Sequence, residues 1–245
     1  METTIFGPPG TGKTTRLISI VKDAIADGMD PNRIAFMSFS KKAAEEAKTR
    51  AIAELDVDSR DLIWFRTLHS LAFNCLGMRG QDVFKGADFH KLGELVGLEF
   101  KANASNNMSD GVLFIPGGGG DKYLSMVQEA RVREVTLEQQ FNDAADYNLH
   151  FQQLRVLAKA YEDLKKELRK RDFVDMIEDF IEQGTSPRFD LLIIDEAQDL
   201  APLQWRMVKE VLVPNSKQVY YAGDDDQCIY SWMGVRVSDF LGASD

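Results

Sequence analysis

The sequence predicts an α/β fold in which a parallel sheet is flanked by helices and interrupted by a mainly helical insertion. Three observations lead there. Short apolar runs alternate with longer helical patterns at both ends of the chain. A glycine-rich loop joins the first apolar run to the first helical pattern. The strand signal fades between residues 80 and 150 and then resumes.

The chain has 245 residues, 44% of them hydrophobic, which suits one large domain or a domain carrying an insertion. No apolar run approaches a membrane span, so no membrane association is expected. The glycine-rich loop lies so near the first residue that no signal peptide is expected either. Cys75 and Cys228 have no metal-ligand spacing and imply no disulfide framework, so a reducing cytoplasm is the expected location. The formal net charge of −10 argues weakly against nucleic acid as a partner, although a groove is a local feature and net charge an average.

Thr4-Ile5-Phe6 reads as the first strand, and Leu17, Ile18 and Val21 mark the helix after the loop. Between them, Gly7-Pro8-Pro9-Gly10-Thr11-Gly12-Lys13-Thr14 fits G-x-x-x-x-G-K-[ST], with Thr15 next in line. Glycines let successive N–H groups turn inward around phosphate oxygens, and the helix start adds free N–H groups and its positive dipole end. Lys13 is expected to reach the β- and γ-phosphates and the Thr14 hydroxyl to ligate Mg²⁺. The fold class expected is therefore that of a P-loop NTPase.

Arg33–Phe39 reads as a second buried strand, with Ser40 as N-cap of the helix beginning at Lys41. Leu62-Ile63-Trp64-Phe65 reads as a third strand, ending at Arg66-Thr67-Leu68-His69-Ser70. Within the insertion, Phe89–Phe100 and Tyr123–Val132 look helical. The polar Asn103–Asn107 stretch and Gly117-Gly118-Gly119-Gly120 read as exposed loop. Phe151–Arg171 is a strongly amphipathic helix with Leu154, Leu157, Tyr161, Leu164 and Leu168 in one stripe. Its basic end, Lys165, Lys166, Arg169, Lys170 and Arg171, reads as a solvated face at a helix C-terminus or as a nucleic-acid contact. Phe189–Ile194 is a continuous apolar run, as a buried parallel strand requires, Leu203–Leu212 a helix, and Gln218–Ala222 a further strand.

Ligands of open parallel sheets bind beyond the carboxyl ends of the strands. The loop at Gly7–Thr14, the pair Asp195-Glu196 and the turn Gly223–Gln227 all lie at such ends. Asp195 is placed to hold Mg²⁺, mostly through water, opposite Thr14, and Glu196 to orient and deprotonate the water attacking the γ-phosphate. The Gln227 amide is suited to report the γ-phosphate. Phe39, Tyr230 and Trp232 follow strands, flanked by Ser38, Ser40, Thr67 and His69. They read either as core or as faces that stack on bases, at about 1–3 kcal/mol per base.

In order along the chain, these segments resemble a UvrD/Rep-like superfamily 1 DNA helicase. Gly7–Thr14 is similar to motif I, and Phe36–Ala44 to the TFTNKAA motif Ia. Thr67-Leu68-His69-Ser70 resembles TFHS of motif Ib, and Asp172-Phe173-Val174-Asp175-Met176 resembles the DFxDLL segment. Asp195–Asp199 matches the DEAQD form of motif II, and Gly223–Trp232 resembles GDxDQSIYxW of motif III.

The resemblance implies a RecA-like ATP-binding domain over 1–79 and 151–245, with a helical subdomain inserted at 80–150. It also implies ATP-driven movement along single-stranded DNA, 3′ to 5′, with duplex unwinding at single/double-strand junctions. Lys13 and Thr14 are implied to bind nucleotide and magnesium, Asp195 to place magnesium, Glu196 to act as base and Gln227 to sense the γ-phosphate. Phe39, Ser40, Lys41, Thr67, His69, Tyr230 and Trp232 are implied DNA contacts. Three features depart from the family. The glutamine segment before motif I is missing, Met233 stands where arginine is common, and no second RecA-like domain follows motif III. The expectation is therefore a piece of a longer helicase, or one half of a motor completed by another chain. A different reading is a non-motor, nucleotide-dependent switch for a protein partner. A small-molecule kinase fits the length but not motif III.

Overall fold

The computed structural model describes residues 1–8, 10–55, 57–100, 119–144, 148–224, 226, 230 and 233–244. Five strands form one sheet: β1 (Glu2–Phe6), β2 (Ile34–Ser38), β3 (Phe65–Thr67), β4 (Phe189–Ile194) and β5 (Ser216–Gly223). They lie in the order β1-β5-β4-β2-β3, every pair parallel. In chain order the helices are α1 (Lys13–Ala26), α2 (Lys41–Leu55), α3 (Leu68–Cys75), α4 (Ala87–Val96) and α5 (Gly119–Val132). They continue as α6 (Leu137–Ala144), α7 (Phe151–Leu168), α8 (Phe173–Gln183), α9 (Pro202–Met207) and α10 (Val237–Leu241).

The alternation of side chains along β4 explains why it is apolar from Leu191 to Ile194. Leu191 and Ile193 pack with Leu17, Ile18 and Val21 of α1 and with Ala47 and Ala51 of α2. Leu192 and Ile194 face the other way, toward Leu71 of α3, Phe180 of α8 and Met207 of α9. Both faces are covered, so no polar position survives in the middle of the strand. Ser40 caps α2 as expected, its Oγ accepting from the Ala43 N–H at 3.1 Å.

The third strand is displaced from its expected position. The Phe65 N–H donates to the Leu62 carbonyl, and the ladder pairs Phe36 with Phe65 and Ser38 with Thr67. The apolar run at 62–64 thus forms a turn into the sheet, and only Phe65–Thr67 join it. The helix expected over Leu203–Leu212 is regular to Met207, then widens into a π turn through Val208–Leu212.

A separate apolar cluster holds the helical insertion together. Phe84, Phe89, Leu92, Tyr123, Leu124 and Val127 pack against Leu154, Leu157, Tyr161 and Leu164, so the apolar stripe of α7 faces this cluster. Gly97, in the left-handed region, stops α4 short of Phe100. Gly119 and Gly120 open α5 instead of forming an exposed loop. Gly120 is buried, and a Cβ there would lie 2.5 Å from the Glu99 carbonyl oxygen. Asn103–Asn107, Gly117 and Gly118 lie outside the described residues.

The basic end of α7 is a solvated face only in part, at the exposed Lys166 and Arg169. The helix ends at Leu168 because Arg169 adopts φ 53°. Lys165 is buried, its Nζ 2.8 Å from carboxylate oxygens of Glu162, Asp172 and Asp175. Arg131 of α5 reaches Asp172 and Asp175 as well, at 3.0 and 2.5 Å. Lys170 pairs with Asp88 and Arg171 with Asp179. Three of the five cations are therefore held by carboxylates within the chain.

Candidate functional site

Three parallel strands deliver their carboxyl ends to one edge of the sheet. The loop after β1 is tied to its neighbour strand, since the Gly7 N–H donates to the Gly223 carbonyl at 3.2 Å. A side chain at Gly7 would meet Thr11 Oγ1 at 2.7 Å. Gly12 has φ 83° and forms the N-cap of α1, a left-handed conformation in which a side chain is strained. Thr11 Oγ1 donates to the Pro8 carbonyl at 2.7 Å, and Lys13 Nζ folds back onto the Gly7 carbonyl at 2.5 Å. Thr14, half-buried, and Thr15, exposed, lie in the first turn of α1. Pro9 lies outside the described residues.

Asp195 follows β4 directly, buried, with its N–H on the Met37 carbonyl at 2.8 Å. Burial and the charge of Glu196 push its carboxyl up to about 7, against the opposing pull of the Glu196 N–H and of Lys13. Glu196 has φ 53°, an uncommon left-handed conformation for a side-chain-bearing residue. Its Oε2 accepts from Gln198 Nε2 at 2.8 Å. Asp199 is likewise pushed up to about 7 by burial and by Glu196, and its Oδ1 is buried without a partner. After β5, Asp224 is buried and its Oδ1 accepts from the Asp226 N–H. Gln227 lies outside the described residues.

Among the described residues, no cluster of three or more His, Cys, Asp or Glu side chains is suited to a metal. One hydroxyl and one carboxylate beside a glycine-rich loop at a helix start are nevertheless a donor set that suits a Mg²⁺–nucleotide site, where phosphates and water would complete the shell. A carboxyl pushed toward neutrality by burial and by a like charge is a position that a divalent cation would relieve. The residues present fit the ion.

The second group of predicted residues lies along the β2–β3 end of the sheet. Phe39 is buried and packs on Tyr230, with ring centroids 5.0 Å apart at 32°. Its face is thus covered by another aromatic ring rather than open to a base. Thr67 is buried and caps α3, its Oγ1 accepting from the Ser70 N–H at 3.2 Å. His69 packs edge-on against Phe173, and burial pushes its imidazole down to about 4 despite Asp172 nearby. A groove of about 670 Å³ runs past Lys41, Lys48, Arg66, Thr67, His69 and Asn74. Phe39, Thr67, His69 and Asp195 also line one narrow crevice, too tight for a water molecule. Trp232 lies outside the described residues. Sequence reasoning gave no role to Lys48, Arg66 or Asn74, although Lys48 lies two helical turns beyond Lys41 on α2 and shares its face. Gln198 also went without a role, although it sits inside the acidic motif.

The family model described as the UvrD/REP helicase N-terminal domain matches residues 1–245. The chain belongs to this family. It is similar to the ATP-dependent DNA helicase PcrA of Leuconostoc citreum, 27% identical over 97% of this chain and 32% of that protein. It is also similar to DNA helicase II of Haemophilus influenzae, 26% identical over 96% of the chain and 33% of the relative. DNA helicase II of Escherichia coli K12 is 25% identical over 98% and 34%. The chain thus spans about a third of the length of these helicases. The α/β sheet with flanking helices is the architecture expected of a UvrD/REP N-terminal domain. Among the described residues no helix is long and apolar enough to cross a membrane.

Proposed function

We propose that this UvrD/REP domain binds and hydrolyses ATP with Mg²⁺ and couples hydrolysis to movement on single-stranded DNA, 3′ to 5′, with duplex unwinding. The observation that carries the reading is the convergence at one sheet edge of the Gly7–Thr14 loop, the Asp195-Glu196 pair and the Gly223–Asp226 turn. Lys13 exchanges its Gly7 carbonyl for phosphate oxygens. Thr14 and Asp195 hold Mg²⁺, which when bound neutralises phosphate charge. Glu196 takes a proton from the attacking water, and Gln227 senses the γ-phosphate. The whole motor uses a second RecA-like domain from sequence that the longer helicases carry or from another chain. The RecA-like part is read as 1–79 and 151–245 around the insertion at 80–150, with α7 packed as part of the helical unit. A cytoplasmic location belongs to the same reading.

Single-stranded DNA lies along the groove past Lys41, Lys48, Thr67 and His69, with Ser40 beside its mouth. Phe39 and Trp232 offer base-stacking faces, Phe39 after Tyr230 swings away. The competing reading is a nucleotide switch for a protein partner, favoured by the net charge of −10 and by the covered face of Phe39. Titration of fluorescent single-stranded DNA separates the two. The motor reading expects salt-sensitive binding that weakens in Trp232→Ala. Unchanged affinity in that variant supports the switch.

A further inference from the structure

Gln198 stands between the two acidic loops, is buried, and has each end of its amide engaged. Its Oε1 accepts from the Asp224 N–H at 3.1 Å. Its Nε2 donates to Glu196 Oε2 at 2.8 Å and approaches Asp199 Oδ2 at 3.4 Å. The orientation of the amide is chemically determined. A backbone N–H only donates and an ionised carboxylate only accepts, so rotating the amide would break both contacts at once. The backbone around Gln198 is adapted to it. A Cβ at position 223 would lie 2.4 Å from Gln198 Oε1 and 2.8 Å from the Phe240 ring, so glycine alone fits there. The Gly223 carbonyl in turn receives the Gly7 N–H. One hydrogen-bonded path therefore runs from Glu196 through Gln198 to Asp224, and the peptide beside it anchors the phosphate loop.

We propose that Gln198 is the positioning residue of the hydrolytic site. It aims the Glu196 carboxylate and sets that aim by the place of the turn that begins at Asp224. Glu196 has two carboxylate oxygens, and Gln198 engages one of them. The other is left to accept a proton from water, and the rotamer is fixed without adding charge. A shift of the turn at Asp224 moves the Gln198 amide and, through it, the base. The proposal rests on the hydrolytic reading above and assigns Gln198 no contact with nucleotide.

The test uses the whole chain and two variants that differ in which contact they keep. Gln198→Glu retains an acceptor for the Asp224 N–H but sets a carboxylate against Glu196. Gln198→Met, of similar length, loses both contacts. Three quantities are measured: affinity for a fluorescent ATP analogue with Mg²⁺, steady-state hydrolysis, and hydrogen exchange of the Asp224 amide. Nucleotide affinity and KM within about twofold of the parent are expected for both variants, with kcat lowered at least about tenfold. The Asp224 amide stays protected in Gln198→Glu and exchanges faster in Gln198→Met. Parental kcat in both variants, or unchanged Asp224 protection in Gln198→Met, overturns the proposal, and the exchange measurement decides even at very low turnover. Failure of the folded parent to bind nucleotide counts against the hydrolytic reading instead, and is distinguished by the affinity arm.

Discussion

Protonation of His69 should weaken the fold below neutral pH, by an amount that follows from where the ring sits. The imidazole projects from α3 against Phe173 of α8, and burial pushes it from an ordinary 6.5 down to about 4, Asp172 offsetting part of the effect. Neutral in the folded state and protonated more readily when unfolded, it contributes stability that is fully present above 6.5 and is lost as pH falls toward 4. At 1.36 kcal/mol per unit, the shift corresponds to roughly 3 kcal/mol, reduced to about 2 because the ring keeps some contact with the groove. Asp195 and Asp199, both raised to about 7, run the other way and gain stability as pH falls through that value. The effect of His69 is therefore read as a difference. Thermal unfolding of the parent and of His69→Gln is compared at about pH 7.5 and about pH 4.5. The parent should lose about 2 kcal/mol more than the variant over that interval, about 4–8 °C in Tm for a chain of this size. Parallel pH profiles for the two proteins would refute the reasoning. A neutral His69 is also an uncharged hydrogen-bonding group at physiological pH, so it adds nothing to counterion release on DNA.

Other perturbations test other parts of the account. Glu196→Gln should retain Mg²⁺–ATP binding and lose hydrolysis, checked by pairing equilibrium binding with a phosphate-release assay. Lys165→Ala leaves Asp172 and Asp175 facing each other with Arg131 as the remaining close cation, and should cost about 3 kcal/mol in urea unfolding. Phe180→Ala empties a fully buried site between α8 and the sheet and should cost about 3–5 kcal/mol by the same assay.

What the sequence reveals of this molecule depends on how local each feature is. β4 is legible from Leu191 to Ile194, because the part of a strand covered on both faces must be apolar, while Asp190 lies near its start beside Arg33 and Lys217. The Gly7–Thr14 turn between β1 and α1 is legible because its glycines and lysine lie close together in sequence and its spacing fits a strand–loop–helix junction. The third strand starts three residues later than expected because Leu62 is buried in a turn that packs on the core, while Ile63 beside it is exposed. The basic run after α7 misleads for a different reason. Lys165, Lys170 and Arg171 are neutralised by Asp172 and Asp175, Asp88 and Asp179, and their partnership exists only once α4, α7 and α8 are assembled. Phe39 was recognisable as an aromatic after a strand, but its cover by Tyr230 joins residues 191 positions apart, counting from 39 to 230. Gln198 is visible inside the acidic motif, whereas its contact with Asp224 is created by the adjacency of β4 and β5.

The central claim is that Gly7–Thr14 is the phosphate-binding wall of a Mg²⁺–nucleotide site. Its most direct test is calorimetric titration of the folded chain with Mg²⁺–ATP, beside Lys13→Ala. Saturable binding by the parent and none by a variant with unchanged circular dichroism is the predicted result. Equal binding by both proteins, or none by a folded parent, would contradict the claim.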